Sequence, residues 1–130
     1  MTNKTTRILF IEDDEGFRRI VARHLRAHGY AVEEAESAEV ALRAVADGYR
    51  PGVVLLDLNL PGRTGWELLR GSQLVAAGSP PVVITSATTV SPKRLAEFHV
   101  DGYLPKPFPL EALIATVERL TGASDAASPA

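Results

Sequence analysis

Three stretches of the chain are apolar without interruption, and each ends on a polar residue. Ile8 to Ile11 runs into Glu12, Asp13 and Asp14; Val53 to Leu56 stops at Asp57; Val82 to Ile84 passes into Thr85, Ser86 and Ala87. Short β-branched runs without polar alternation predict strands covered on both faces, as in a parallel sheet between helices. Two weaker segments, Tyr30 to Ala35 with Glu33 and Glu34, and Gly102 to Phe108 with two prolines, suit sheet edges. Between these strands the period changes to that of helices. Phe17, Ile20, Val21, His24 and Leu25 form one stripe, with Arg18, Arg19, Arg23 and Arg26 on a solvated face, and Gly29 stops the helix. Ser37 caps a second helix whose stripe is Ala38, Ala41, Leu42 and Val45. Thr64 and Glu67 match a capping box for a third, the weakest, helix, and Ser91-Pro92 opens a short fourth carrying Leu95 and Phe98. Leu110, Leu113, Ile114 and Val117 mark the last helix, which ends at Gly122.

Strands alternating with helices predict an α/β, doubly wound, five-stranded parallel sheet with right-handed crossovers. With the strongest strands inside and the weakest at the edges, the order is 2-1-3-4-5. One domain is expected over residues 1–121, followed by a disordered tail at 122–130, where the residues are small and polar. The 130-residue length suits a single core, and 45% hydrophobic residues suffice to fill it. A net charge of -2 gives no electrostatic reason for direct nucleic-acid or membrane binding. No stretch has the length of a membrane span and no leader is evident, so a cytoplasmic location is expected. The absence of cysteine removes disulfides, thiolate metal sites and cysteine nucleophiles.

In a sheet of this order, ligands bind beyond the carboxyl ends of the first and third strands. Glu12, Asp13 and Asp57 are expected to meet there. Converging carboxylates need a compensating cation, which either a metal or a lysine could supply, or else must take up protons, and the available ligands are hard oxygens that select Mg²⁺ or a similar ion. Asp13 and Asp57 are assigned as carboxylate ligands, Asn59 as a backbone carbonyl ligand, and Glu12 as an outer partner through water. Lys106 brings a positive charge to the same mouth. Carboxylate nucleophile, Mg²⁺, lysine and Ser86 together suit phosphoryl transfer. Asp14 fits a helix cap better than a ligand, and His24 with His28 is a helix-face pair without further metal ligands.

Ile8 to Asp14, Asp57-x-Asn59-x-Pro61-Gly62-x-x-Gly65, Ser86-Ala87 and Tyr103-x-x-Lys106-Pro107-Phe108 together resemble the receiver domain of two-component response regulators, a flavodoxin-like fold. The resemblance implies that Asp57 accepts a phosphoryl group, with Mg²⁺, from a phosphohistidine on a sensor histidine kinase or histidine phosphotransfer protein. It implies that Lys106 pairs with the phosphoryl oxygens, that Ser86 moves to bind one of them, and that Tyr103 then turns inward. It also implies a cis bond at Lys106-Pro107, and a change of surface around helix 4, strand 5 and helix 5 read by an unknown downstream protein, with a homodimer as one outcome. Such a domain is no enzyme beyond its own phosphorylation and dephosphorylation. The interval from Ser86 to Lys106 is shorter than usual in the family, which implies a short fourth helix, and Pro109 leaves the last helix without a side-chain cap. An aspartyl-nucleophile phosphatase is the competing class, but it needs a second acid where this chain has Asn59. A scaffold that never turns over phosphate is the other.

Overall fold

The computed structural model describes residues 5–60, 65–71 and 80–122. Strands β1 (Arg7–Ile11), β2 (Ala31–Ala35), β3 (Val53–Asp57), β4 (Val82–Ser86) and β5 (Gly102–Pro105) alternate with helices α1 (Glu15–Ala27), α2 (Ala38–Ala46), α3 (Gly65–Gly71), α4 (Pro92–Glu97) and α5 (Leu110–Thr121). All pairings are parallel and the order is β2-β1-β3-β4-β5, as the polarity of the strands predicts. The capping box at Thr64 and the tail at 123–130 lie outside the described residues.

The two faces of the sheet divide the core by the period-2 alternation of strand side chains. Leu9, Ile11, Val54, Leu56, Val82 and Ile84 pack with Ala38, Ala41 and Val45 of α2 and Leu68 of α3. Ile8, Phe10, Val53, Leu55 and Val83 pack on the opposite side with Val21 and Leu25 of α1 and Leu113, Ile114 and Val117 of α5. Each fully buried Leu, Ile or Phe side chain contributes about 1.5–3 kcal/mol. Two buried layers leave every residue of β3 and β4 out of water, so polar side chains at the ends of these strands are held rigidly.

Side-chain caps occur where the sequence places them. Ser37 accepts the Val40 amide at 3.2 Å, Ser91 accepts that of Arg94 at 3.2 Å, and Pro109 makes no such bond. The short α4 has six residues and buries none of them. It is tied to α3 through Phe98, whose ring lies 4.6 Å from that of Trp66, with the Arg94 guanidinium 4.7 Å over the indole.

The stripe expected on α1 needs two corrections. Ile20 is 62% exposed, whereas Arg18 is buried at 8%. The buried line runs through Arg18, Val21, Ala22 and Leu25, the offsets of one helical face. Arg18 is tolerated in that line because its charge is paired. Its Nε donates to Glu34 Oε1 at 3.1 Å and its guanidinium to the Glu12 carbonyl at 2.9 Å.

Candidate functional site

Each acid leaves the sheet at its carboxyl end, from the interior strands β1 and β3. Glu12 follows the last residue of β1 and is 1% exposed; its amide extends the ladder to the Ala35 carbonyl at 3.0 Å. Asp13 beside it is exposed. Asp14 is the cap of α1, accepting the Phe17 amide at 3.0 Å, in agreement with its reading as a cap. Asp57 closes β3 at 2% exposure, and its Oδ1 accepts the Asn59 amide at 2.9 Å. Ligand oxygens of Glu12, Asp13 and Asp57 lie within 4.8 Å of one another, the one such acid, histidine or cysteine group among the described residues.

Lys106 enters from the residue after β5, with its amide bonded to the Ser86 carbonyl at 2.8 Å and a cis Lys106-Pro107 peptide beyond. Its Nζ donates to Glu12 Oε1 at 2.8 Å and reaches Asp57 Oδ2 at 3.4 Å. Burial raises the Glu12 carboxyl above its ordinary range, against the pull of the Lys106 and Asp14 hydrogen bonds, and the Asp57 charge adds to the rise. Burial pulls the Lys106 ammonium down, but the Glu12 hydrogen bond and the Asp57 charge outweigh it and hold the group above its usual value. The site is a pair of buried acids around one ammonium, with a third acid facing water.

This donor set fits a hard divalent cation. Every candidate ligand is an oxygen, and Asp13 offers an exposed carboxylate beside buried Asp57, the hydrated one-sided arrangement that Mg²⁺ favours. Glu12 is engaged at both oxygens, by Lys106 and by the Asp14 amide at 3.1 Å. Asp57 is held less tightly, its Oδ1 by the Asn59 amide at 2.9 Å and its Oδ2 by Lys106 at only 3.4 Å, so that with exposed Asp13 it offers the less engaged oxygens.

On the far side of Asp57 a network of hydroxyls begins. Ser86 is 1% exposed, and its Oγ lies 3.2 Å from Asn59 Oδ1, 2.9 Å from Thr88 Oγ1 and 3.0 Å from the Thr88 carbonyl, while accepting the Thr88 amide at 3.0 Å. The half-buried Tyr103 donates its phenol to the same Thr88 carbonyl at 3.2 Å. Thr88 therefore stands between the two residues that the sequence singles out as a switch. Sequence reasoning missed it, since a threonine in a strand-to-helix loop carries no signal of its own.

Gly65 shows how tightly α3 is pressed on the phosphoacceptor candidate. A Cβ there would meet Leu58 Cδ2 at 2.8 Å, Leu58 Cα at 2.9 Å and the Asp57 carbonyl oxygen at 3.0 Å. Two of those atoms are backbone and cannot swing away. Gly65→Ala is expected to destabilise the fold by about 2–3 kcal/mol, read as a lower denaturant midpoint with an unchanged slope.

The sequence profile described as "Response regulator receiver domain" matches residues 8–118. Response regulator MprA from Mycobacterium sp. (strain KMS) is 38% identical over 116 residues, which cover 88% of this chain and 50% of the relative. MprA from Mycobacterium leprae (strain TN) is likewise 38% identical over 116 residues, with the same two coverages. The chain thus spans about half the length of the curated relatives it matches. Among solved structures, chemotaxis protein CheY4 of Vibrio cholerae superposes with a TM-score of 0.79 at 29% identity, covering 90% of this chain and 99% of that one. Response regulator protein TrrA of Thermotoga maritima, in complex with Mg²⁺-BeF, gives 0.77 at 27% identity over 89% of this chain and 99% of its own. A parallel sheet in the order 2-1-3-4-5, a carboxylate cluster at the switch point of that sheet, and a profile match over most of the length lead to one conclusion: the chain belongs to the response regulator receiver domain family of two-component signalling.

Proposed function

We propose that Asp57 takes a phosphoryl group from a phosphohistidine on a sensor histidine kinase or histidine phosphotransfer protein. The observation that carries this reading is the placement of Asp57, buried at the tip of β3 with Lys106 Nζ 3.4 Å from one oxygen. A carboxylate oxygen attacks phosphorus as the P–N bond breaks, and the imidazole leaves with its electron pair and is protonated. Asp13, Asp57 and the Asn59 carbonyl would hold Mg²⁺, with Glu12 behind them through water. When bound, the ion neutralises charge on the transferring oxygens. Lys106 exchanges its Asp57 contact for a phosphoryl oxygen while Glu12 keeps it in place.

The output follows from the hydroxyl network. Ser86 turning toward the phosphoryl group gives up its contacts to Thr88 and Asn59, so the loop that Tyr103 also holds is free to reset. Tyr103 follows, and the surface of α4, β5 and α5 changes for a downstream protein, or for a second copy in a homodimer. Because α4 buries none of its residues, moving it costs little core packing, which suits a two-state switch. The domain then acts by changing partners in the cytoplasm, catalysing only its own phosphorylation and dephosphorylation. On this reading any contact with nucleic acid lies outside the domain, whose charge is slightly negative.

The test is to incubate the full chain with a small phosphodonor and Mg²⁺, trap the product by borohydride reduction, and map it by mass spectrometry. A base-labile acyl phosphate on the Asp57 peptide, formed only with Mg²⁺, is expected. Label on another residue, or labelling indifferent to Mg²⁺, overturns the reading.

A further inference from the structure

Four contacts around Lys106 close into a ring. Lys106 Nζ donates to Glu12 Oε1 at 2.8 Å, and Glu12 Oε2 accepts the Asp14 amide at 3.1 Å. Asp14 Oδ1 accepts the Phe17 amide at 3.0 Å, and the Phe17 ring has its centroid 5.0 Å from Lys106 Nζ. The chain segment after Lys106 closes on the same ring, for Phe108 meets Phe17 edge-on, with centroids 5.7 Å apart and planes at 76°. The cap of α1 therefore sets the position of an aromatic face against the lysine, and the residue two places beyond the lysine fixes that face from the side.

We infer that Phe17 is a positioning residue for Lys106, holding the ammonium by a cation–π contact at the height where it can pass from Asp57 to a phosphoryl oxygen. The ammonium has two carboxylate partners on one side. Transfer of a phosphoryl group to Asp57 loosens one of them, and a lysine stem with four rotatable bonds would then be free to turn toward water. The ring face attracts the cation without competing as a hydrogen-bond acceptor, so it restrains Lys106 through the change of partner. A purely packing role predicts only that position 17 must be apolar and of the right size.

The inference rests on the phosphoacceptor reading of Asp57, and the experiment separates the two. Mono-, di- and trifluorinated phenylalanine at position 17 keep the shape while draining the electron density of the ring face. Across this series the rate of phosphorylation by a small donor is expected to fall stepwise by about threefold to tenfold in all, with Phe17→Leu at least as slow and Phe17→Tyr near the wild type. In a Lys106→Met background the same series should be flat. A flat series with Lys106 present, or equal slopes in both backgrounds, overturns the inference while leaving phosphorylation of Asp57 standing. If the wild type takes no phosphoryl group at all, the earlier reading falls and the contact is judged by NMR: the ε-methylene protons of Lys106 should be shifted upfield by the ring in the wild type and lose that shift in Phe17→Leu. Unchanged shifts overturn the contact itself.

Discussion

Asp57→Asn is expected to leave no acyl phosphate above background with any phosphodonor, and yet to give a protein that folds at least as well at neutral pH. The amide keeps an oxygen to accept the Asn59 amide, now 2.9 Å from Oδ1, so the turn after β3 survives. The nucleophile and one negative charge are lost together. The stability expectation comes from Glu12, whose carboxyl is raised chiefly by burial and further by the Asp57 charge. A carboxyl raised in the folded state contributes stability that is complete below its ordinary value and lost as pH climbs through the raised one. Taking away the Asp57 charge brings Glu12 back toward the ordinary range, and the loss between acid and neutral pH shrinks. Mg²⁺ affinity should fall at the same time, since one of two proposed carboxylate ligands becomes neutral. Thermal melts of the two proteins from acid to neutral pH, with and without Mg²⁺, check all three expectations. A variant that is still labelled, or that loses more stability than the wild type as pH rises, contradicts this account of the site.

Much of this arrangement could be read from the chain because burial on both faces leaves a strong trace. Ile8 to Ile11, Val53 to Leu56 and Val82 to Ile84 are strands by their lack of alternation alone, and ranking them by polarity is enough to order the sheet. Once the sheet is ordered, the convergence of Glu12, Asp13, Asp57 and Lys106 follows from topology. What escaped were features set by partners far away in sequence. Arg18 reads as solvated on a helical wheel, and only the approach of Glu34 from edge strand β2, together with the Glu12 carbonyl, lets it be buried. Ile20 reads as core by composition, yet it lies off the line that Arg18, Val21 and Leu25 define. Thr88 and Phe17 gain their meaning from Tyr103 and Lys106, which lie 15 residues away in one case and on another strand end in the other. Local periodicity carries no record of such pairs.

Lys106→Met separates the two jobs that the ammonium performs. In the resting site it compensates Glu12 and Asp57, at 1% and 2% exposure, and removing one partner of a buried ion pair costs about 3 kcal/mol or more. The cost should depend on pH with a definite sign. Glu12 loses its strongest lowering influence, the Lys106 hydrogen bond, so its carboxyl rises further and stability present at acid pH drains away more steeply as pH approaches neutrality. Lys106 itself, held above its usual value, stabilises the wild type up to its ordinary titration range and ceases to do so as pH rises through the raised value. The gap between variant and wild type should therefore open through the carboxylate range and narrow again under strongly alkaline conditions. Metal affinity and chemistry should move in opposite directions. With a cation gone from beside the acids, Mg²⁺ is expected to bind about tenfold more tightly, and added Mg²⁺ should restore much of the lost stability. Phosphoryl transfer from a small donor should slow by about 10²-fold, because a fixed positive group is missing where charge develops on the transferring oxygens. General damage to the fold would weaken both binding and transfer. Tighter metal with slower transfer is the outcome that only a lysine aimed at the phosphoryl position gives, and isothermal titration beside single-turnover labelling at neutral pH measures both.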